Sequence, residues 1–140
     1  MSFGPSTNPN VPRILVADDD PDILALARFS LADCGYEVVT AVDGKDALEL
    51  ALARRPDAVV LDVHMPGLTG PEVASRIRQV ESISDTAVIL FSAAALDGDV
   101  SRYRDAGADQ FLRKPFQLRQ LVETVESLLG AGPAEARNAA

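Results

Sequence analysis

Cysteine is nearly absent from this chain: Cys34 is the one example among 140 residues. No internal disulfide can form, and the opening run MSFGPSTNPN lacks the basic region and apolar stretch of a secretory signal, so a cytoplasmic location is expected. No apolar run approaches the roughly 20 residues needed to cross a bilayer, and membrane anchorage has no support. Basic residues are in deficit, 13 against 21 acidic, for a net charge of −8. Those 13 are scattered, which argues against direct nucleic-acid binding, since phosphate contacts need clustered Lys and Arg. A glycine-rich phosphate loop is missing as well. The first strand-to-helix turn reads ADDDPD, whose carboxylates would repel a bare pyrophosphate, and a nucleotide-binding role is disfavoured.

What is present, 47% hydrophobic and 24% charged residues, suits one globular domain with a single core. Residues 1–12, rich in Gly, Pro, Ser and Asn, are expected to be a flexible segment, and residues 130–140 a flexible tail or linker, leaving an ordered domain at 13–129. Within it, short β-branched or apolar runs predict strands at Arg13–Ala17, Glu37–Ala41, Ala58–Asp62, Ala87–Ser92 and Gln110–Lys114. Helical patterns lie between and after them. In the last, Leu118, Leu121, Val122, Val125, Leu128 and Leu129 form one apolar stripe, and the third carries Val73, Ala74, Ile77 and Val80 on one face. The fourth, Leu96 to Asp105, offers only Leu96, Val100 and Tyr103, so its packing should be the weakest. Asp20 before Pro21 fits a helix cap, Gly35, Gly107 and Gly130 fit helix stops, and Cys34 reads as a helix-end residue near the core. Five tandem β-α units imply an α/β fold with a parallel sheet covered on both faces.

In such open sheets, sites form outside the carboxyl ends of the strands. Those ends carry Asp18 with Asp19, then Asp62, then Ser92, then Lys114: three carboxylates, a hydroxyl and an ammonium. Two ionised carboxylates about 4 Å apart repel by roughly 4 kcal/mol at an effective dielectric of about 20, so the group calls for a solvated loop, a shared proton or a bound cation. A hard divalent ion such as Mg²⁺ takes oxygen ligands from one or two carboxylates and a backbone carbonyl while keeping several waters. With the crowding relieved, Asp62 can act as a nucleophile toward phosphorus, and Lys114 and Ser92 can neutralise the remaining phosphoryl oxygens.

The motifs ILVADDDPDIL, PDAVVLDVHMPGLTGPEVASRIR, VILFSA and GADQFLRKPF, in this order, make Arg13 to Leu129 resemble the receiver domain of bacterial two-component response regulators. The resemblance implies a flavodoxin-like, doubly wound (βα)5 fold with five parallel strands in the order 2-1-3-4-5. It implies that Asp62 is the phosphoacceptor, that Asp19 and Asp62 bind Mg²⁺ directly, with Mn²⁺ as a substitute, and that Asp18 binds it through water. The backbone carbonyl of His64 would complete the protein ligands. Ser92 would be the hydroxyl that turns toward the phosphoryl group, Lys114 its cationic partner, and Phe111 the aromatic switch. Asp20, Ser92 and Phe111 stand where Glu, Thr and Tyr are frequent in the family; the first two keep the functional group, and Phe111 lacks only the phenolic oxygen. The resemblance further implies a cis Lys114–Pro115 peptide. The side chains of His64 and Ala94 would border the path of the attacking water and tune the phosphoryl lifetime.

The donor implied is a phosphohistidine on a sensor histidine kinase or histidine phosphotransfer protein. The reader is an output domain or effector at a surface formed by the fourth helix, fifth strand and fifth helix, where a homodimer is a further expectation. On this reading the chain is a switch that catalyses only its own phosphorylation and dephosphorylation, either standing alone or cut from a longer regulator or hybrid kinase. Two other classes compete. An aspartate-nucleophile phosphatase of the haloacid dehalogenase type wants a second aspartate two positions after the nucleophile, where DVH places His64. A phosphorylation-independent interaction module would be free to lose Asp62, Lys114 or an acidic partner, and all are retained.

Overall fold

The computed structural model describes residues 11–93 and 97–130. Strands and helices alternate along the chain: β1 (Arg13–Ala17), α1 (Pro21–Asp33), β2 (Glu37–Ala41), α2 (Gly44–Arg54), β3 (Ala58–Asp62), α3 (Gly70–Arg78), β4 (Ala87–Ser92), α4 (Asp97–Asp105), β5 (Gln110–Arg113) and α5 (Leu118–Leu128), with a short 3-10 turn at Glu81–Ile83. The sheet order is β2-β1-β3-β4-β5, and every pair is parallel. This is the doubly wound, flavodoxin-like arrangement, with the order reversing between β1 and β3.

Strand periodicity divides the core in two. Leu15, Val59, Leu61, Val88 and Leu90 face α2 and α3, together with Tyr103 and Ala108. Ile14, Val16, Val60, Ile89, Phe91 and Leu112 face α1 and α5, where Leu24, Ala27, Leu31, Leu121 and Val125 meet them. Both layers bury apolar surface at about 25 cal/mol per Å², so β1 and β3 are buried at all five positions, as central parallel strands require. Among the described residues no helix is long and apolar enough to cross a membrane.

Helix ends follow local chemistry. Asp20 caps α1 by accepting from the Asp22 amide, with Pro21 in the first turn. Gly35, Gly107 and Gly130 all adopt positive φ after their helices. At α2 the left-handed stop falls on Arg55, φ 46°, where no glycine marks it in the sequence. The strand β5 ends at Arg113, one residue short of the expected Lys114, because Pro115 has no N–H with which to continue the ladder, although the Lys114 amide still donates to the Ser92 carbonyl at 2.9 Å. The Lys114–Pro115 peptide is cis. Leu96, expected to begin the fourth helix, lies outside the described residues, as do residues 1–10 and 131–140.

Register sets the edge that matters. Ala17 pairs with Leu61, Asp62 with Phe91, and Ser92 with Arg113, so Asp18, Asp62 and Lys114 leave the sheet at the same edge. Gly70, at the start of α3, packs against this edge: a Cβ there would lie 2.5 Å from the Asp62 carbonyl oxygen. Backbone on that side cannot yield as a flexible side chain would. Gly70→Ala is therefore expected to destabilise the fold by about 1–3 kcal/mol, read as a lowered urea midpoint with an unchanged slope.

Candidate metal centre

Asp18 follows β1 and is 0% exposed. Its amide donates to the Ala41 carbonyl, one carboxylate oxygen accepts from the Asp20 amide at 2.8 Å, and the other accepts from Lys114 Nζ at 3.0 Å. Asp62 ends β3, 5% exposed, and accepts from the His64 amide at 3.4 Å. Asp19 is exposed on the same loop as Asp18. Asp18, Asp19 and Asp62 each offer a carboxylate oxygen, and these oxygens lie within 4.8 Å of one another.

Lys114 bridges the cluster, with Nζ 3.0 Å from Asp18 Oδ2 and 3.6 Å from Asp62 Oδ2. One ammonium among three carboxylates leaves the group anionic. Burial pushes the Asp18 carboxyl up to about 6; the charge of Asp62 adds to the rise, while the Asp20 amide and Lys114 oppose it. Hard oxygen donors, an exposed member that leaves a side open to water, and incompletely offset negative charge together fit a divalent cation.

Ser92 is buried at the end of β4, on the same edge. His64 is exposed two residues beyond Asp62. Phe111 sits elsewhere: half-buried on β5, it stacks on Tyr103 of α4 with centroids 5.2 Å apart and planes inclined by 30°. Ala94 lies outside the described residues.

A response regulator receiver domain family model matches residues 14–126. The chain belongs to this family.

As a receiver it is a phosphorylatable switch of bacterial two-component signalling. It is 46% identical over 118 residues to the transcriptional regulatory protein PrrA of Mycobacterium bovis, covering 84% of this chain and 50% of that protein. The response regulator MprA of Mycolicibacterium vanbaalenii is 43% identical over 117 residues, covering 84% and 50%. The receiver thus spans about half the length of the curated relatives it matches. Among solved structures, chemotaxis protein CheY4 of Vibrio cholerae superposes with a TM-score of 0.80 at 30% identity, covering 84% of this chain and 98% of that one. The receiver domain of sensor histidine kinase PA1611 from Pseudomonas aeruginosa, described with a magnesium ion coordinated in its active-site cleft, gives 0.79 at 30% identity, covering 86% and 99%.

Two features of the receiver's edge were not read from sequence. Lys114 Nζ lies over the Phe91 ring, 4.8 Å from its centroid, and Phe116 meets Phe91 edge to face at 5.6 Å. Beside them a groove of about 340 Å³ is lined by Ile23, Leu26, Ala27, Ala93, Pro115 and Phe116, with Leu26 54% and Phe29 72% exposed on α1. The exposed pair had a sequence signal, two large apolar residues off the buried Leu24, Ala27, Leu31 face; the ring seat had none, because it depends on strand register.

The raised Asp18 carboxyl has a definite sign. Between pH 3.8 and about 6 the folded receiver keeps a proton there that the unfolded chain releases, so without divalent cation Asp18 makes the fold less stable as pH rises through that window. Urea unfolding in chelator should show this loss in the wild type and a flatter profile in Asp18→Asn. Added magnesium should restore more stability at pH 7 than at pH 4.5.

Proposed function

We propose that Asp62 accepts a phosphoryl group from a phosphohistidine on a sensor histidine kinase or histidine phosphotransfer protein. An Asp62 carboxylate oxygen attacks phosphorus, the P–N bond breaks, and the donor imidazole leaves with that bond's electron pair. The observation that carries this reading is the position of Lys114 Nζ, within 4 Å of both Asp18 and Asp62 at an open strand edge. There the ammonium can follow charge from the carboxylate to the phosphoryl oxygens. Asp19, Asp62 and the His64 carbonyl would hold Mg²⁺, with Asp18 reaching it through water, a choice supported by the magnesium in the similar PA1611 receiver. When bound, the ion supplies Lewis-acid neutralisation of phosphoryl charge.

Ser92 then turns toward the new group. Phe111, stacked on Tyr103, leaves that contact and fills the space released, which repacks α4, β5 and α5 for an output domain, an effector or a second copy. The chain catalyses only its own phosphoryl gain and loss. Its donor docks on the apolar groove along α1, because a partner delivering phosphorus to Asp62 must cover this rim, and exposed Leu26 and Phe29 offer it anchors.

Acetyl phosphate with magnesium, followed by intact mass, tests the acceptor. The wild type should gain one phosphoryl group and Asp62→Asn none; steady phosphate release from added esters would instead indicate a phosphatase, and no gain an inert module. Phe29→Asp tests the docking face. It should slow transfer from a phosphohistidine donor about tenfold, the equivalent of 1.4 kcal/mol of lost contact, while leaving the acetyl phosphate rate unchanged.

A further inference from the structure

Lys114 is one of only two lysines in the chain, and its four-carbon stem has freedom to point into water. Its side chain is nevertheless only 18% exposed. Two of the attractions that hold it are anionic and change during the reaction: negative charge moves from the Asp62 carboxylate to the phosphoryl oxygens as an acyl phosphate forms, and a cation among the carboxylates repels the ammonium. The third is neutral. Nζ lies 4.8 Å from the centroid of Phe91, whose ring face attracts a cation through its quadrupole whatever the charge state of the carboxylates.

We propose that Phe91 is a positioning residue for phosphoryl transfer, its ring face seating the Lys114 ammonium so that Nζ reaches Asp18 and Asp62 together. Phe91 stands directly before Ser92, pairs with Asp62 across β3 and β4, and is fully buried, so the ring is immobile relative to the acceptor. Phe116 packs against it edge to face, with the two planes at 88°. The segment Lys114-Pro115-Phe116 therefore grips one ring through both an ammonium and an aromatic contact. An aliphatic residue at position 91 fills the core but offers no face to a cation. This inference rests on the phosphoacceptor reading of Asp62 and extends it to the residue that aims its cationic partner.

The full chain labelled with ¹³C-lysine gives two spin systems, with exposed Lys45 as the internal reference. In the metal-free wild type, ring current should place the Lys114 Cε protons upfield of those of Lys45. Phe91→Leu should erase that offset and slow phosphorylation by acetyl phosphate about fivefold, the loss of one cation–π contact, with magnesium affinity unchanged. Trifluorophenylalanine placed at position 91 keeps the ring's packing while withdrawing charge from its face, so it holds the fold constant where leucine disturbs it. It should also slow phosphorylation. Wild-type rates with the fluorinated ring, or Lys114 protons coinciding with those of Lys45 in the wild type, overturn the proposal. A wild-type chain that takes no phosphoryl group overturns instead the reading beneath it, and the two failures separate because the lysine spectrum is recorded without any donor.

Discussion

Burial of two neighbouring carboxylates, Asp18 and Asp62, is the constraint around which the strand edge is organised. Both are almost fully buried, and burial withdraws the water that would screen them. The Asp20 and His64 amides and the Lys114 ammonium offset part of the charge, and the elevated Asp18 carboxyl shows that the compensation is incomplete. A site of this kind is compatible with a divalent cation, and the fold sustains the cost of burying its carboxylates.

The scaffold sustains that cost through rigidity. Central strands β1 and β3 are covered on both faces, so their carboxyl ends are held by two core layers rather than by loop contacts. Gly70 brings the start of α3 against the Asp62 backbone, and the Thr69–Glu72 capping box closes the loop between them. The hydrogen bonds to Thr69 hold the exposed Glu72 carboxyl below its usual range. The Asp62 carboxylate, the acidic cluster and the Lys114 ammonium thus share one rigid frame, as the proposed charge stabilisation requires.

The other half of the sheet is arranged differently. Phe111 and Tyr103 stack at the junction of β5 and α4, and the turn that follows α4 is tied down by Arg78. Its guanidinium donates to the Gly107, Ser84 and Thr86 carbonyls and to Asp109, whose carboxylate also accepts from the Val88 amide. The stack and the clamp thus both lie at the C-terminal end of α4 and the turn into β5.

Hydrophobic periodicity was enough to locate five strands and to assign Asp18, Asp19, Asp62, Ser92 and Lys114 to strand ends, because alternating burial and helical stripes are local properties of the chain. The acidic turn, the cap at Asp20 and the stops at Gly35, Gly107 and Gly130 were legible for the same reason. Arg55 as a left-handed stop, the Arg78 clamp, the stack of Phe111 on Tyr103 and the seat of Lys114 on Phe91 were not. Each of these depends on which strand lies beside which, and on the register between residues far apart in sequence. The chain by itself determined which chemical groups stand at the strand ends; only packing of the sheet decided the distances between them, because separations of 3 to 4 Å arise from long-range pairing that no local pattern encodes.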